Sequence, residues 1–385
     1  MKRMSMLMII IAMFVSANLI KAQGEAAVPF LLLAPDSRAG GIGESGVALA
    51  DNSAAIFWNP AGIAFQTGSE VSLTHSNWLP QFNLDLFYEY ATYREYMEEL
   101  NGSVTASITF MNFGEFVRTL SNSPDPVGTF RSFDAALTFG YATKLSNNWG
   151  LGFNFRIIHS RLADKPTEQE QGKGVATSVS FDVGALWRPE KFEIPLIGDL
   201  SNRFSFGLNL ANLGPKIYYI DQAQADPIPT NLRFGFAVRP FEDEYNSLTW
   251  TLDFQKLLVG KADSSGKRPE FYKAIFSAWA DEPLNKEIRD IVTSMGLEYW
   301  YGQPQDFMFA IRTGIFYEDP SYGNRKFVTL GAGIRYDMYG FDFSYITTDV
   351  FKGSENHPLS NTLRFTLLIG WGATPQKQLG FPRGI

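Results

Sequence analysis

From residue 131 onward, apolar and polar side chains alternate with a period of two, segment after segment. In 131–145, Phe133, Ala135, Leu137, Phe139 and Tyr141 fall on one face, with Ser132, Asp134, Thr138, Gly140 and Lys144 on the other. Residues 149–157 set Trp149, Leu151, Phe153, Phe155 and Ile157 against Gly150, Gly152, Asn154 and Arg156. The pattern returns at 203–211, 231–239 and 247–255, where Leu248, Trp250, Leu252 and Phe254 oppose Thr249, Thr251 and Asp253. Successive side chains of a pleated strand point to opposite faces, so each segment reads as a strand with one greasy and one wet side. Weaker alternation marks strands at about 70–78, 83–93, 103–111, 174–187, 293–301, 307–317, 325–337 and 340–347, and a last one runs from Asn361 to Trp371.

Five, eight and one make 14 strands, an even number, as an outer-membrane barrel with both ends on its periplasmic side requires. Many reach the roughly 9–11 residues needed to cross a bilayer at a tilt. The connections sort by parity. Those at 146–148, 241–245, 302–306 and 337–339 are short, and they alternate with long ones at 112–130, 161–174, 213–229, 256–292 and 348–360. Short periplasmic turns alternating with long outer loops are expected of such barrels. Three connections depart from the rule: 188–202 is long for a turn, while 79–82 and 318–324 are short for outer loops. The expected fold is therefore all-β, a 14-stranded antiparallel transmembrane β-barrel. Arg156, Arg233, Asp253, Arg312, Arg335 and Arg364 all fall on the face opposite the aromatics. A charge facing lipid costs about 2–4 kcal/mol at the midplane, so that face should be the lumen. On this reading Leu252→Arg should impair assembly far more than Thr251→Arg.

Phe30–Phe65 lacks the alternation and is rich in glycine, so it reads as an irregular plug or collar inside the barrel. Gly41, Gly43 and Gly46 formally match a dinucleotide fingerprint, but no alternating helices and strands come after it to give it context. Backbone packed in a narrow lumen is the better account. There is no nucleophile elbow here, because position 47 is Val. Trp58, Asn59, Pro60 and Gly62 mark a structural turn: Pro60 drives Asn59 out of the helical region, Asn59 can close an Asx turn, and Gly62 permits positive φ.

At the N-terminus, Lys2 and Arg3 precede an apolar Met6–Val15 and a small residue, Ala22, which reads as a signal peptide over 1–22. The expected organisation is then a plug at 23–69, a barrel at 70–371 and a periplasmic tail at 372–385. Losing Lys2, Arg3 and Lys21 lowers Lys+Arg from 33 to 30 against 40 acidic residues, a net charge of −10 that argues against nucleic-acid partners. With no cysteine and three scattered histidines, no cofactor, metal or catalytic residue is expected. Aromatics at 15% with charged residues at only 19% match strands that average a lipid face with a wet one.

Two long loops carry candidate contact residues. In 256–292, Phe271, Tyr272, Ile275, Phe276 and Trp279, then Leu284, Ile288 and Ile291, recur at helical spacing. Two short amphipathic helices there would either pack on the barrel rim or offer a partner surface. In 213–229, Ile217, Tyr218, Tyr219 and Ile220 sit beside Pro227 and Pro229 and form a second candidate surface. His159 beside Ser160 is the nearest approach to a nucleophile–base pair, though a rim histidine explains it as well.

Mature AVPFLLLAPDSRAGGIGESGVA at 27–48 and FWNPAGIAF at 57–65 resemble the PorV branch of the PorV/PorQ outer-membrane proteins, with the NPAG-type entry of FadL-like barrels. The similarity extends through GEFVRTL, WGLGFNFRIIHSRLAD, GKGVATSVSFDVGALW and GFAVRPFEDEYNSLTWTLDFQKLL. It implies a FadL-like barrel of the type IX secretion system in the cell outer membrane, surrounded by outer-membrane lipids and lipopolysaccharide. Such a protein would bind the C-terminal signal domain of secreted cargo at its outer loops, receive it from the translocon barrel and pass it to the cell-surface sortase. The competing expectations are a transporter of small hydrophobic molecules, which would need a lipid-sized apolar pocket between plug and wall, and an enzyme acting on lipopolysaccharide.

Overall fold

Strands hydrogen-bonded in chain order close a ring of 14 in the computed structural model, which describes residues 26–82, 84–120, 123–163, 174–195, 198–264, 266–303, 306–351 and 357–372. The expected signal peptide, and all but the first residue of the expected tail, lie outside the described residues. The ring starts with β1 (Ser69–Asn77), β2 (Phe87–Met97), β3 (Gly102–Leu120), β4 (Ser123–Lys144), β5 (Trp149–Arg161) and β6 (Val175–Trp187). A small separate hairpin comes next, β7 (Glu193–Ile194) with β8 (Gly198–Asp199). The ring then resumes with β9 (Phe204–Leu213), β10 (Asn231–Glu242), β11 (Asn246–Leu257), β12 (Val292–Tyr301) and β13 (Met308–Tyr317). It ends with β14 (Lys326–Tyr336), β15 (Tyr339–Thr347) and β16 (Thr362–Trp371). Antiparallel pairing of β1 with β16, Ser69 opposite Trp371, closes it. That end is the terminal rim, and the opposite end is the loop rim.

The alternation read from the sequence becomes inside and outside. Along β13 buried and exposed residues alternate at every position, with Ala310 and Arg312 inward and Ile311 and Ile315 outward. All six charges assigned to the lumen are buried. On the outside, near the loop rim, His75, Phe87, Phe110, Phe133 and His159 form a row of rings with centroids 5.5–6.2 Å apart. At the terminal rim Trp149 stacks on Trp187 at 6.1 Å, and Phe192 lies 4.7 Å from Phe204. Aromatic belts at two levels of an otherwise apolar wall mark the two interfaces of a bilayer.

The structure departs from the expected 112–130 loop. The β3–β4 ladder continues from Glu115 opposite Arg131 to Leu120 opposite Ser123. The hairpin stands clear of its neighbours, because β2 pairs with β3 only as far as Asn112 and β5 with β4 only from Phe133. Phe116 stacking on Phe130 at 5.6 Å helps hold it, while bulges between Asn112 and Glu115 and beyond Arg118 break the two-residue period in the sequence. Strand β2 also begins four residues later than expected, because Pro80–Phe82 form a 3-10 turn.

The segment from Val28 to Gln66 packs inside the ring and is almost wholly buried. It holds only short pieces of helix: a 3-10 turn at Pro29–Leu32, α1 (Ser37–Gly40), α2 (Ala55–Trp58) and a 3-10 turn at Pro60–Phe65. Asp36 joins two of them. Its Oδ2 accepts from the Ala39 N–H at 3.0 Å, capping α1, and its Oδ1 accepts from the Trp58 indole at 2.6 Å.

Candidate functional site: the filled lumen and the loop rim

The inner segment is tied to the wall by hydrogen bonds from nearly every side. Ser37 N–H donates to Thr366 Oγ1 (3.0 Å), Gly43 N–H to Thr329 Oγ1 (2.8 Å) and Val47 N–H to Asp253 Oδ2 (2.8 Å). From the wall, Asn154 donates to the Ile56 carbonyl (2.7 Å), Ser205 to Ala48 (2.8 Å) and Asn209 to Trp58 (2.9 Å). An irregular chain leaves its backbone groups without internal partners, so polar side chains on the lumen face must supply them.

Charge does the same over a longer path. Asp51, Arg38, Glu298, Arg312, Asp342 and Arg335 alternate in sign along one buried chain of ion pairs, each contact between 2.6 and 2.7 Å. Trp300 lies beneath two of the guanidinium groups, 5.1 Å from Arg312 and 5.2 Å from Arg335. Arg364 reaches Glu44 at 2.8 Å, and Arg156 pairs with Asp182 at 2.7 Å. Buried charges are tolerated when each has an opposite partner and further hydrogen bonds, as here.

The turn read from the sequence has a second duty. Asn59 is extended (φ −163°), and its Oδ1 accepts from Ala61 N–H at 3.1 Å, the expected Asx turn. Its Nδ2 donates to both Val47 O (3.1 Å) and Ala185 O (3.0 Å), fastening the turn to β6. Gly62 is needed for a different reason than expected. Its φ is not positive; a Cβ there would lie 2.0 Å from the Ala50 carbonyl oxygen.

At the loop rim, residues 258–291 fold into α3 (Phe271–Ser277) and α4 (Leu284–Arg289). Ala274 and Ala278 turn inward, whereas Tyr272, Trp279 and Phe276 (78% exposed) turn out. Phe271 is half-buried against Tyr272, with ring centroids 5.6 Å apart. The apolar stripe of α4 also faces out, leaving Leu284 75% and Ile288 60% exposed, while Ile291 is half-buried. The cause is Lys256 at the end of β11. Glu287 and Asp290 each approach its Nζ at 2.7 Å, so the polar side of α4 is drawn onto the barrel. Sequence reasoning missed Lys256, and a lone lysine in an apolar strand end was its only signal. Lys261 bonds Glu282 within this loop, while the bond from Tyr322 to Glu282 and the Arg289–Asp319 pair at 2.9 Å fasten it to 318–325. The hydrogen bond from Lys261 holds the Glu282 carboxyl below its ordinary range, and that from Arg289 does the same for Asp319.

In the 214–230 loop the four candidate residues separate. Ile217 is buried and bridges to Asp226, with N···O distances of 2.8 and 2.9 Å in the two directions. Tyr219 is half-buried, and its hydroxyl donates to Ser160 Oγ at 2.9 Å. Tyr218 and Ile220 are exposed. Lys216 Nζ donates to the Arg268 carbonyl (2.6 Å) and pairs with Glu270 (3.1 Å), which joins the two loops. Between them opens a cleft of about 950 Å³. Ser160 is buried in the lumen, while His159 projects outward to Thr177 Oγ1 (3.0 Å) and Phe133, so the two do not form a nucleophile–base pair. Among the described residues, no group of three or more acidic or histidine side chains is arranged to hold a metal.

The family model described as "Type IX secretion system protein PorV" matches residues 19–264. No curated protein matches the chain. Among solved structures, the toluene transporter TbuX of Ralstonia pickettii is 12% identical with a TM-score of 0.47, over 87% of this chain and 97% of that one. The toluene transporter TodX of Pseudomonas putida is 9% identical with a TM-score of 0.47, over 90% and 96%. A FadL homologue of Pseudomonas aeruginosa is 11% identical with a TM-score of 0.45, over 87% and 97%. At such values, likeness to these barrels says nothing about what this chain binds.

Proposed function

Since this chain belongs to the PorV family of type IX secretion system proteins, we propose that it is an outer-membrane barrel that holds the C-terminal signal domain of secreted cargo at its loop rim. From there it passes the cargo from the translocon barrel to the cell-surface sortase. The observation that carries the reading is the link from Lys216 to Arg268 and Glu270, which makes one surface of the 214–230 and 258–291 loops. Tyr218 and Ile220 are exposed on the first of these loops, and Phe276, Leu284 and Ile288 on the second. Exposed apolar side chains gathered at one end of a molecule suit a protein partner.

The inner segment acts as a plug, so cargo passes over the rim rather than through the barrel. A transporter of small hydrophobic molecules would need an apolar space beside that segment. One space beside it, lined by Leu31, Ile56, Phe57, Tyr88 and Tyr90 together with Ser107, Thr109, Thr138 and Arg156, has about 10 Å³, room for one water at most.

The test is co-purification of an isolated signal domain with the full chain and with chains lacking 213–229 or 256–292, barrel closure being checked by heat-modifiable gel mobility. Loss of the domain from either deletion is expected. Undiminished capture by both would overturn the assignment to these loops.

A further inference from the structure

The 950 Å³ cleft has an unusual floor. It is lined by Thr177, Ser178 and Val179, consecutive residues of β6. Thr177 and Val179 point away from the lumen and Ser178 points into it, so a cavity that touches all three lies along the edge of the strand and not over a face. Pairing explains why that edge is free. β6 and β9 pair from Trp187 opposite Phe206 up to Phe181 opposite Leu213, and there the ladder stops. The register already slips between Phe181 and Val183, and the chain leaves β9 as Gly214–Pro215. Proline has no N–H to donate, so it cannot extend the ladder. Ser178 Oγ reaches only the Pro215 carbonyl, at 3.5 Å. On its other side β6 stays paired with β5 up to Val175 opposite Arg161. The Gly214 backbone packs against the Val179 carbonyl and Ser180, so Val175–Ser178 is the stretch of β6 with one ladder partner among the described residues, in a wall where its neighbours have two. In an antiparallel strand, alternate residues direct N–H and C=O to each side, so about two residues of Val175–Ser178 face the cleft with bonding groups to offer.

The walls of the cleft mix polar and apolar groups and carry more positive than negative charge. Lys216, Lys267 and Arg268 line it against Asp226 and Glu270, and Lys216 is already paired with Glu270. Thr177, Gln222 and Gln224 add hydrogen-bonding groups beside Tyr218, Ala223, Ala225 and Ala262, a mixed lining that suits a polypeptide with both kinds of side chain.

We propose that the open edge of β6 at Val175–Ser178 is where an extended segment of the cargo signal domain adds a strand to the barrel wall, with its acidic groups toward Lys267. This rests on the cargo-binding reading above and specifies its chemistry: main-chain ladder bonds supply affinity, and the cationic wall selects for acid. Membership in a protein-secretion family, the excess positive charge, and the continuity of the cleft with the exposed Tyr218 of the same loop all favour a polypeptide as the occupant.

The chain has no cysteine, so Thr177→Cys provides a single thiol on an exposed, outward-facing position. The probe is an isolated signal domain from a protein secreted by the same system, with single cysteines placed one at a time along its C-terminal segment. Strand addition predicts disulfides at alternate positions of the probe only, and Lys267→Glu should weaken binding about tenfold. Disulfides at every probe position, none at all while the domain still binds, or a disulfide between two copies of the barrel would each overturn the edge inference and leave the loop-rim reading standing. If the unsubstituted chain fails to bind the domain, the functional reading itself falls, and the edge inference with it.

Discussion

Arg38 and Glu298 are 260 positions apart and meet inside the barrel with Nε 2.7 Å from Oε2. The same carboxylate also accepts from Arg312 at 2.7 Å, while Arg38 turns its Nη1 to Asp51 at 2.6 Å. The inner segment is thus held to β12 and β13 by one carboxylate shared between two cations.

Removing the central cation should release the segment and leave the barrel closed. Arg38→Ala strands Asp51 in a buried site and takes one of two partners from Glu298, a loss of about 3–5 kcal/mol. Limited proteolysis should then cut within 28–66, where the unsubstituted chain resists, while heat-modifiable gel mobility is unchanged.

The backbone of the segment also presses on the wall where no side chain intervenes. A Cβ at position 314 would lie 2.1 Å from Gly43 N, and Gly43 itself has φ +73°. Gly314→Val should therefore unseat the segment and raise ion conductance in planar bilayers, as should deletion of 30–56. In the deletion background Gly314→Val should have no further effect. If the unsubstituted barrel conducts as well as the deletion, the segment does not close the lumen.

The outer face should not tolerate charge at mid-depth. Leu252 points outward from β11, and Leu252→Arg should cost about 2–4 kcal/mol and lower the yield of folded barrel on gels. Strand facing alone makes Thr251→Arg the less damaging of the two, but Thr251 is buried and its hydroxyl donates to Gly296 O at 3.4 Å, beside the inner segment. An arginine has no room there. It should be rescued when 28–66 are deleted, whereas Leu252→Arg should not be.

Acid should loosen the loop rim. In the folded chain the Asp319 carboxyl is held below its ordinary value by the hydrogen bond from Arg289, and Glu282 by that from Lys261. A depressed folded pKa stabilises fully above the unfolded value, about 3.9 for Asp and 4.3 for Glu, and the contribution is lost as pH falls through the folded one. Protection of 284–291 and 318–325 in hydrogen exchange should hold at neutral pH and drop below about pH 4. Asp319→Asn should show the weakened state at both.

Strand number, strand facing and the side on which charge belongs could be read from the chain alone. The closed barrel forces a period of two on every strand, and lipid on one side forbids charge there. Phe133 to Tyr141 and Leu248 to Phe254 carry that constraint residue by residue. Asn59 was legible for a local reason, since Pro60 restricts its φ and ψ and an Asx turn spans only two positions.

Features that depend on contacts far apart in sequence needed the tertiary structure. Alternation could not show that 115–120 pair with 123–131, because bulges break the period there. It could not show that Lys256 would turn the polar side of α4 inward and leave Leu284 and Ile288 exposed, since helical spacing defines a stripe but not what it faces. Nor could it show where the β6–β9 ladder ends, because pairing depends on two chains at once and Val175–Ser178 alternates as regularly as any paired strand. The sequence of each strand specifies its two faces; only the closed sheet decides which of its edges find a partner.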